Sequence, residues 1–494
     1  MSKSKITHGA ALLAGAQLGK RLLDFTAMII LARLLTPADF GLIALAATMT
    51  TIAMAVADLS LSDIVLREDT IEDDQYATIF TLALGRGLAI ASLICLAAYP
   101  VALVYKDARL LPILCVLSLA PLSRSLISPR MAEYSRALSF KQESMLELGS
   151  RFIGLASSIA WAISYRNYWA IAVNQVVSPV LFAAGSYVLA PVTIRLSLKH
   201  ARSVFAFNIW LTLQRLMNTV NFYVDRLLIV PQLGVRQLGI YTVGSDWAAL
   251  PTQAAQAPMS RVLYAGMARL HKEPVRLKEA YLAAMEASST ILFPIGVGTS
   301  LVAHRLVPVA LGLKWASAVV IIAVLAPIFS VQSVTAPAQA LAMSSGNTRQ
   351  LFMRDVTNFL FRVPLVVVGL SLFGLWGLLV ARLIAGLNIA GMNFILAKRI
   401  SGATMTEQLR SMRLAVLGAC TMIAAVMTVD SALTSHQNAL VLMIDVIVGG
   451  ASYFLSTLLF WRILGKPKSI IASAVAILQT RVDAVKGSLH APPV

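Results

Sequence analysis

Long apolar stretches alternate along the chain with short clusters of charge, proline and glycine, and the stretches are longer than the core segments of a soluble domain. A membrane span needs about 20 apolar residues. Stretches bounded by charge, proline or glycine predict helices at about 9–35, 38–64, 77–104, 109–132, 142–165 and 168–191. Six more fall at about 204–230, 237–260, 281–304, 315–343, 350–373 and 375–397, and a final pair at about 411–429 and 437–463. The pattern is six, six and two. It predicts an all-α integral membrane protein of about 14 transmembrane helices, with an N-lobe over 1–195, a C-lobe over 196–400, two additional spans over 401–465 and a cytoplasmic tail over 466–494. In the tail, Ile470, Ile471, Ala474, Ile477, Leu478 and Val482 recur at helical spacing among cations, which suits a helix lying in the membrane interface or a solvated helix end. The N-terminal apolar run continues past any small-residue cleavage site, so the first stretch is expected to stay as an uncleaved span.

The halves echo one another. Leu35–Ile43 (LTPADFGLI) aligns with Leu233–Tyr241 (LGVRQLGIY) at an offset of 198 residues, placing Leu35 with Leu233, Phe40 with Leu238, Gly41 with Gly239 and Leu42 with Ile240. A fainter echo sets Ala120–Leu122 beside Ala326–Ile328. An even number of spans separates the copies, so both have the same orientation. Two six-helix lobes related by a parallel pseudo-two-fold axis are expected, with a cavity between them as in alternating-access transporters.

Composition narrows the class. Of 494 residues, 58% are apolar and 13% charged, against about 25% charged in a soluble domain, which excludes a soluble enzyme. The net charge of +18 would suggest nucleic acid in a soluble protein. In a membrane protein it is loop charge: 25 Lys and Arg fall on one side and 7 on the other (Arg33, Lys106, Arg109, Arg166, Arg236, Arg305 and Lys314). The richer side is cytoplasmic, which puts both termini there and excludes a nucleic-acid partner. Cys95, Cys115 and Cys420 lie in apolar runs without C-x-x-C spacing and read as small core residues; no metal site is expected.

Nine cations remain inside the predicted spans: Lys20, Arg21, Arg86, Arg124, Arg151, Arg215, Arg226, Arg362 and Arg382. At roughly 2.5–3.5 kcal/mol each at mid-membrane, they cannot all face lipid. One cationic, water-filled cavity accounts for the set, although any single arginine could instead snorkel to the interface. Glu147 and Arg151 are four apart and read as a structural helical pair. Asp24 can neutralise Lys20 or Arg21 but hardly both, and the adjacent Asp225 and Arg226 point in different directions. Arg86 and Arg124 have no acid within a turn, so they, with the excess cation of the first span, are assigned to an anionic substrate. Prolines within or beside spans, such as Pro121, Pro179, Pro294 and Pro364, permit bending where water or neighbouring helices satisfy the freed backbone.

Catalytic motifs are missing: the six histidines form no H-E-x-x-H pair, and there is no P-loop, G-x-G-x-x-G or G-x-S-x-G. A non-enzymatic transporter without cofactors is expected. It would draw on a gradient or a partner, with Asp24, Asp58, Asp225 and Asp246 as the carboxylates available to couple protons or sodium.

Four segments carry a family likeness: RLLTPADFGLIALA from Arg33, DLSLSDIVLRED from Asp58, YVDRLLIVPQLGVRQLGIYTVG from Tyr223 and LKEAYLAAME from Leu277. The chain resembles the polysaccharide-repeat-unit flippases of the multidrug, oligosaccharidyl-lipid and polysaccharide exporter superfamily, in the branch serving bacterial exopolysaccharides. The likeness covers residues 9–400 and extends to the two extra spans. It implies movement of an undecaprenyl-diphosphate-linked anionic oligosaccharide from the cytoplasmic to the periplasmic leaflet of the bacterial inner membrane. The protein would be a monomer working beside polymerase and chain-length machinery. The resemblance places Lys20, Arg21 and Asp24 on the helix lining the N-lobe, and Asp225 and Arg226 on its C-lobe counterpart, where the family more often has Asp-Asn. The alternative is an ion-coupled drug or small-solute exporter of the same superfamily, whose cavity should lean acidic. A major-facilitator transporter would carry a basic loop after the second span, where this chain has LREDTIEDDQ. A membrane glycosyltransferase would need a large outer loop, and none here exceeds about a dozen residues.

Overall fold

The computed structural model describes residues 3–56, 73–136, 140–192, 195–199, 209–270, 272–432 and 439–465; Asp58 and the tail beyond 465 lie outside the described residues. Among these residues every regular element is helical. The first group is α1 (Lys3–Leu34), α2 (Pro37–Val56), α3 (Asp73–Val104), α4 (Leu110–Leu117), α5 (Leu119–Ser125), α6 (Met131–Arg136), α7 (Phe140–Tyr165) and α8 (Trp169–Leu189). There follow α9 (Ile209–Leu270), α10 (Pro274–Ala310), α11 (Ala318–Val334), α12 (Pro337–Ser344), α13 (Thr348–Ser401), α14 (Met405–Ala432) and α15 (Ala439–Ile463).

Two helices each hold two of the expected spans. α9 breaks at Gly234 (φ 79°, ψ 170°) and α13 at Gly374 (φ 57°, ψ −133°), backbone regions that a residue without Cβ enters freely. Among the described residues, eight helical segments are long and apolar enough to cross a bilayer. The second arm of α13, the two arms of α9, the charged helices α1 and α7 and the broken pair α4–α5 bring the set to about 14. α1, α7 and α9 fall short on hydropathy because they carry the intramembrane charges.

The repeat has a local structural counterpart. Before α2, Thr36 and Asp39 form a capping box: the Thr36 amide donates to Asp39 Oδ2 at 3.0 Å and the Asp39 amide to Thr36 Oγ1 at 3.3 Å, with Pro37 at the first helical position. At the equivalent place in α9 the device is Gly234 instead. Turns match as well. Lys106 (φ 54°) and Gly312 (φ 93°) are 206 positions apart, and Arg166 (φ 47°) and Gly374 are 208 apart.

The chain forms two compact units, Met1–Thr242 and Val243–Val494. In the first, α7 packs along α1 and α8, α3 covers α4 and α5, and α2 lies on α4. Also within it, Gly41 and Gly239 meet: a Cβ on Gly41 would lie 1.8 Å from Val235 O, and one on Gly239 would lie 1.8 Å from Pro37 O. The contact is reciprocal at the repeat offset, since Pro37 is to Val235 as Gly41 is to Gly239. Such self-complementarity is what a two-fold relation produces.

In the second unit α10 is the hub, packed on α11, α14 and α15, while α13 covers α11 and α12. Its core gathers Leu277, Tyr281, Met285, Leu292, Leu341 and Met412. α14 is held at its start by Lys278 Nζ to Glu407 Oε1 at 2.8 Å and by the Tyr281 hydroxyl donating to Gln408 Oε1 at 2.8 Å. Leu96, Val188 and Phe373 are 77%, 83% and 70% exposed, a surface suited to lipid contact. Cys95 and Cys420 are exposed rather than in the core, because they too lie on outward helix faces.

Candidate functional site

Within the first unit, α1, α2, α4, α5, α7 and α8 enclose a cavity of about 670 Å³. Its walls are polar for a membrane protein: Thr50 and Thr51 from α2, Ser150 from α7, and Asn174, Gln175 and Ser178 from α8. Gly154 permits close packing of α7 on α8 behind these amides, since a Cβ there would lie 2.9 Å from Ser178 Cβ and 3.1 Å from Asn174 Oδ1. Pro179, inside α8 and on the cavity wall, cannot donate to the carbonyl four residues earlier. The Gln175 carbonyl is thereby released from the helix ladder at the level of the cavity.

The charges follow a different pairing from the one sequence spacing suggests. Lys20 Nζ donates to Glu147 Oε1 at 2.6 Å, and an Arg151 guanidinium nitrogen donates to Asp24 Oδ1 at 2.5 Å. The expected intrahelical pairing of Glu147 with Arg151, and of Asp24 with Lys20 or Arg21, gives way to two rungs between α1 and α7. Each helix carries a cation and an acid one turn apart at a common offset of 127 residues, so both opposite-charge pairs face each other when the helices pack. The side chains are partly exposed, at 27% and 33% in one pair and 28% and 47% in the other.

Arg124, on α5, lines the same cavity and is exposed to it. Glu147 and Arg151 are within its electrostatic reach. Among the described residues it makes no hydrogen bond or ion pair. Because the two rungs neutralise themselves, Arg124 supplies the net positive charge of the cavity.

The remaining sequence-selected residues lie elsewhere. Arg21 on α1 and Arg86 on α3 are half-buried and are absent from the described lining, and Arg215 on α9 is exposed. Asp225 is buried and accepts a hydrogen bond from the Tyr241 hydroxyl at 2.9 Å; the Arg226 guanidinium lies 5.0 Å from the Tyr223 ring centroid. Arg362, Arg382 and Asp246 belong to the second unit. Arg362 and Arg382 are buried on α13, the latter 5.3 Å from the Phe329 ring centroid, and Asp246 is half-buried. Among the cavities of the second unit, one of about 300 Å³ is lined by neutral residues such as Gln256, Ser260, Ser288 and Gln339, and one of about 580 Å³ is lined by Arg349, Arg354 and Arg399.

One buried cluster escaped sequence reasoning. Arg305, counted there as an outer-loop cation, is 3% exposed near the end of α10. It donates to Asp445 Oδ2 at 2.8 Å and to Asp430 Oδ1, joining α10 to α15 and α14. The available signal was that Asp430 and Asp445 have no cation within a turn of their own helices and so require a partner from another.

Comparison with known proteins fits this architecture. Residues 30–320 match the family described as polysaccharide biosynthesis protein. The chain is 22% identical over 399 residues to the lipopolysaccharide biosynthesis protein WzxC of Escherichia coli K12, covering 79% of this chain and 80% of that one. It is 22% identical over 309 residues to the succinoglycan biosynthesis transport protein ExoT of Rhizobium meliloti, covering 62% of each. Among solved structures, the inward closed conformation of the lipid II flippase MurJ superposes with a TM-score of 0.68 at 15% identity, covering 92% of this chain and 99% of that one. At that identity the likeness bears on the fold.

Proposed function

This chain belongs to the polysaccharide biosynthesis protein family, and on that footing we propose that it flips a lipid-linked, anionic oligosaccharide repeat unit across the membrane by alternating access. It is a multi-pass membrane protein. The bilayer is the bacterial inner membrane, and both termini are cytoplasmic by the distribution of loop cations. Its spans divide into six, six and two, with the tail on the cytoplasmic face. The cargo is an undecaprenyl-diphosphate-linked unit, moving toward the periplasm ahead of polymerisation.

The observation that carries this reading is Arg124, a cation in a polar cavity whose other charges are already paired. A guanidinium presents a fork of donors that matches phosphate oxygens. The surrounding hydroxyls and amides, with the Gln175 carbonyl, offer the mixed donors and acceptors that sugar hydroxyls require. Asp24, bound to Arg151, and Asp225, bound to Tyr241, are occupied carboxylates. With Asp246 they remain sites for proton or sodium coupling.

The test is mass spectrometry of lipid-linked oligosaccharides in membranes from a strain depleted of the protein, beside its parent. Build-up of one complete repeat unit with loss of secreted polymer is expected, and its mass identifies the cargo. Unchanged lipid-linked pools with polymer still secreted would refute the reading and favour drug or small-solute export.

A further inference from the structure

We propose that the ends of α10, α14 and α15 in the second unit form a proton-binding site centred on His304, with Arg305, Asp430 and Asp445 as its charged frame. His304 Nδ1 faces the Leu301 carbonyl at 3.0 Å, and its Nε2 faces Asp430 Oδ1 at 3.1 Å. Both partners are acceptors when Asp430 is ionised, whereas a neutral imidazole has a single N–H. Completing both bonds takes one further proton, carried either by the ring or by Asp430. The charge count agrees. Arg305 is a permanent cation between two carboxylates, so the four groups sum to zero only when they hold that proton.

Burial makes the balance matter. Arg305 is 3% exposed and Asp445 1%, and an uncompensated charge at such depth is strongly disfavoured. Asp445 Oδ2 accepts from Arg305, while among the described residues its Oδ1 has no hydrogen-bond partner, and the residue lines a cavity of about 300 Å³ walled by Thr299, Met422, Val426 and Gly449. His304 and Asp430 are about 40% exposed and connect the sealed part to solvent. The proton therefore exchanges through them. Arg305 and His304 are on α10, Asp430 on α14 and Asp445 on α15, and Lys314 is on the 3-10 turn Leu313–Trp315 beyond α10. Under the proposed topology this end faces the periplasm, so the site would sense the outer aqueous phase.

The site is independent of the cargo, and its test needs none. Full-length protein with 15N-labelled histidine, in lipid nanodiscs, is titrated by NMR across about pH 5–8, with His304→Gln assigning the ring. A ring with two N–H groups at the acid end, losing one through the range, is expected in the wild type. In Asp445→Asn one carboxylate charge is removed and Arg305 and Asp430 already balance, so His304 should lose its second N–H at lower pH than in the wild type. A thermal melt confirms that the variant folds; if it does not, Asp430→Asn also removes one carboxylate charge, together with the acceptor facing Nε2. The proposal fails if wild-type His304 holds one N–H at every pH, if its titration is unchanged in the folded Asn variant, or if the response follows sodium at constant pH. A tether without proton binding would give one of the first two results.

Discussion

Replacing Arg124 with alanine tests the cavity assignment most directly, because structure and function point to different consequences. The side chain is exposed to the cavity and makes no hydrogen bond or ion pair among the described residues, so removing it should change stability by no more than about 0.5 kcal/mol. Its value to an anionic cargo is larger. Two unit charges about 4 Å apart attract by about 4 kcal/mol at an effective dielectric of 20, before desolvation is subtracted. Hydrogen bonds to charged groups contribute about 1.5–3 kcal/mol net. At 1.4 kcal/mol per decade this weakens cargo binding by about 10- to 150-fold. Arg124→Lys keeps the charge but loses the planar fork, so it should fall between alanine and wild type. The assay pairs lipid-linked oligosaccharide levels and secreted polymer with protein abundance and a melt of the purified variant. Parental export in Arg124→Ala would refute the reasoning, as would a loss of export that follows protein abundance.

Three further outcomes follow from the geometry. Gly41→Ala should destabilise by about 1–3 kcal/mol, since its Cβ meets backbone rather than a movable side chain; adding Gly239→Ala should cost less than the sum by at least about 0.5 kcal/mol, because parting the segments relieves both clashes. Thermal unfolding of the single and double variants measures this, and strict additivity would contradict the reciprocal contact. Glu147→Lys should lower stability by about 1 kcal/mol by removing a partly exposed pair and setting two cations together, and adding Lys20→Glu should restore it in the same assay. At the left-handed turns, Gly312→Ala should cost about 1–2 kcal/mol, while Lys106→Gly should be neutral to mildly stabilising as relief of strain offsets the added chain entropy; denaturation in mild detergent distinguishes the two.

The helices were legible because a bilayer imposes a length and a polarity that few other environments demand. The division between the spans expected at 350–373 and 375–397 falls at Gly374, where the backbone turns. The LTPADFGLI segment announced a helix start through Thr36, Pro37 and Asp39, and its echo in α9 located a glycine break at Gly234. Charged residues in spans signalled polar surroundings, since lipid would not tolerate them all. Their partners were not legible. Spacing by four favoured Glu147 with Arg151, but α1 and α7 pack in a register that offers each acid a cation on the other helix.

The same limit hid the cluster around Arg305. In sequence it is the last charge before an outer turn, counted with exposed cations; in the folded unit α14 and α15 cover it and supply two acids more than 120 residues away. By itself, the sequence determined the class of protein, the approximate number of its spans, and that cations within them required water or protein around them. These properties depend on local hydropathy and backbone preference, which each segment carries alone. Only the tertiary structure decided that Arg124 is the charge left over in its cavity, that Gly41 and Gly239 meet, and that His304 faces two acceptors. Those outcomes depend on the relative register of packed helices, which the pattern within each helix does not contain.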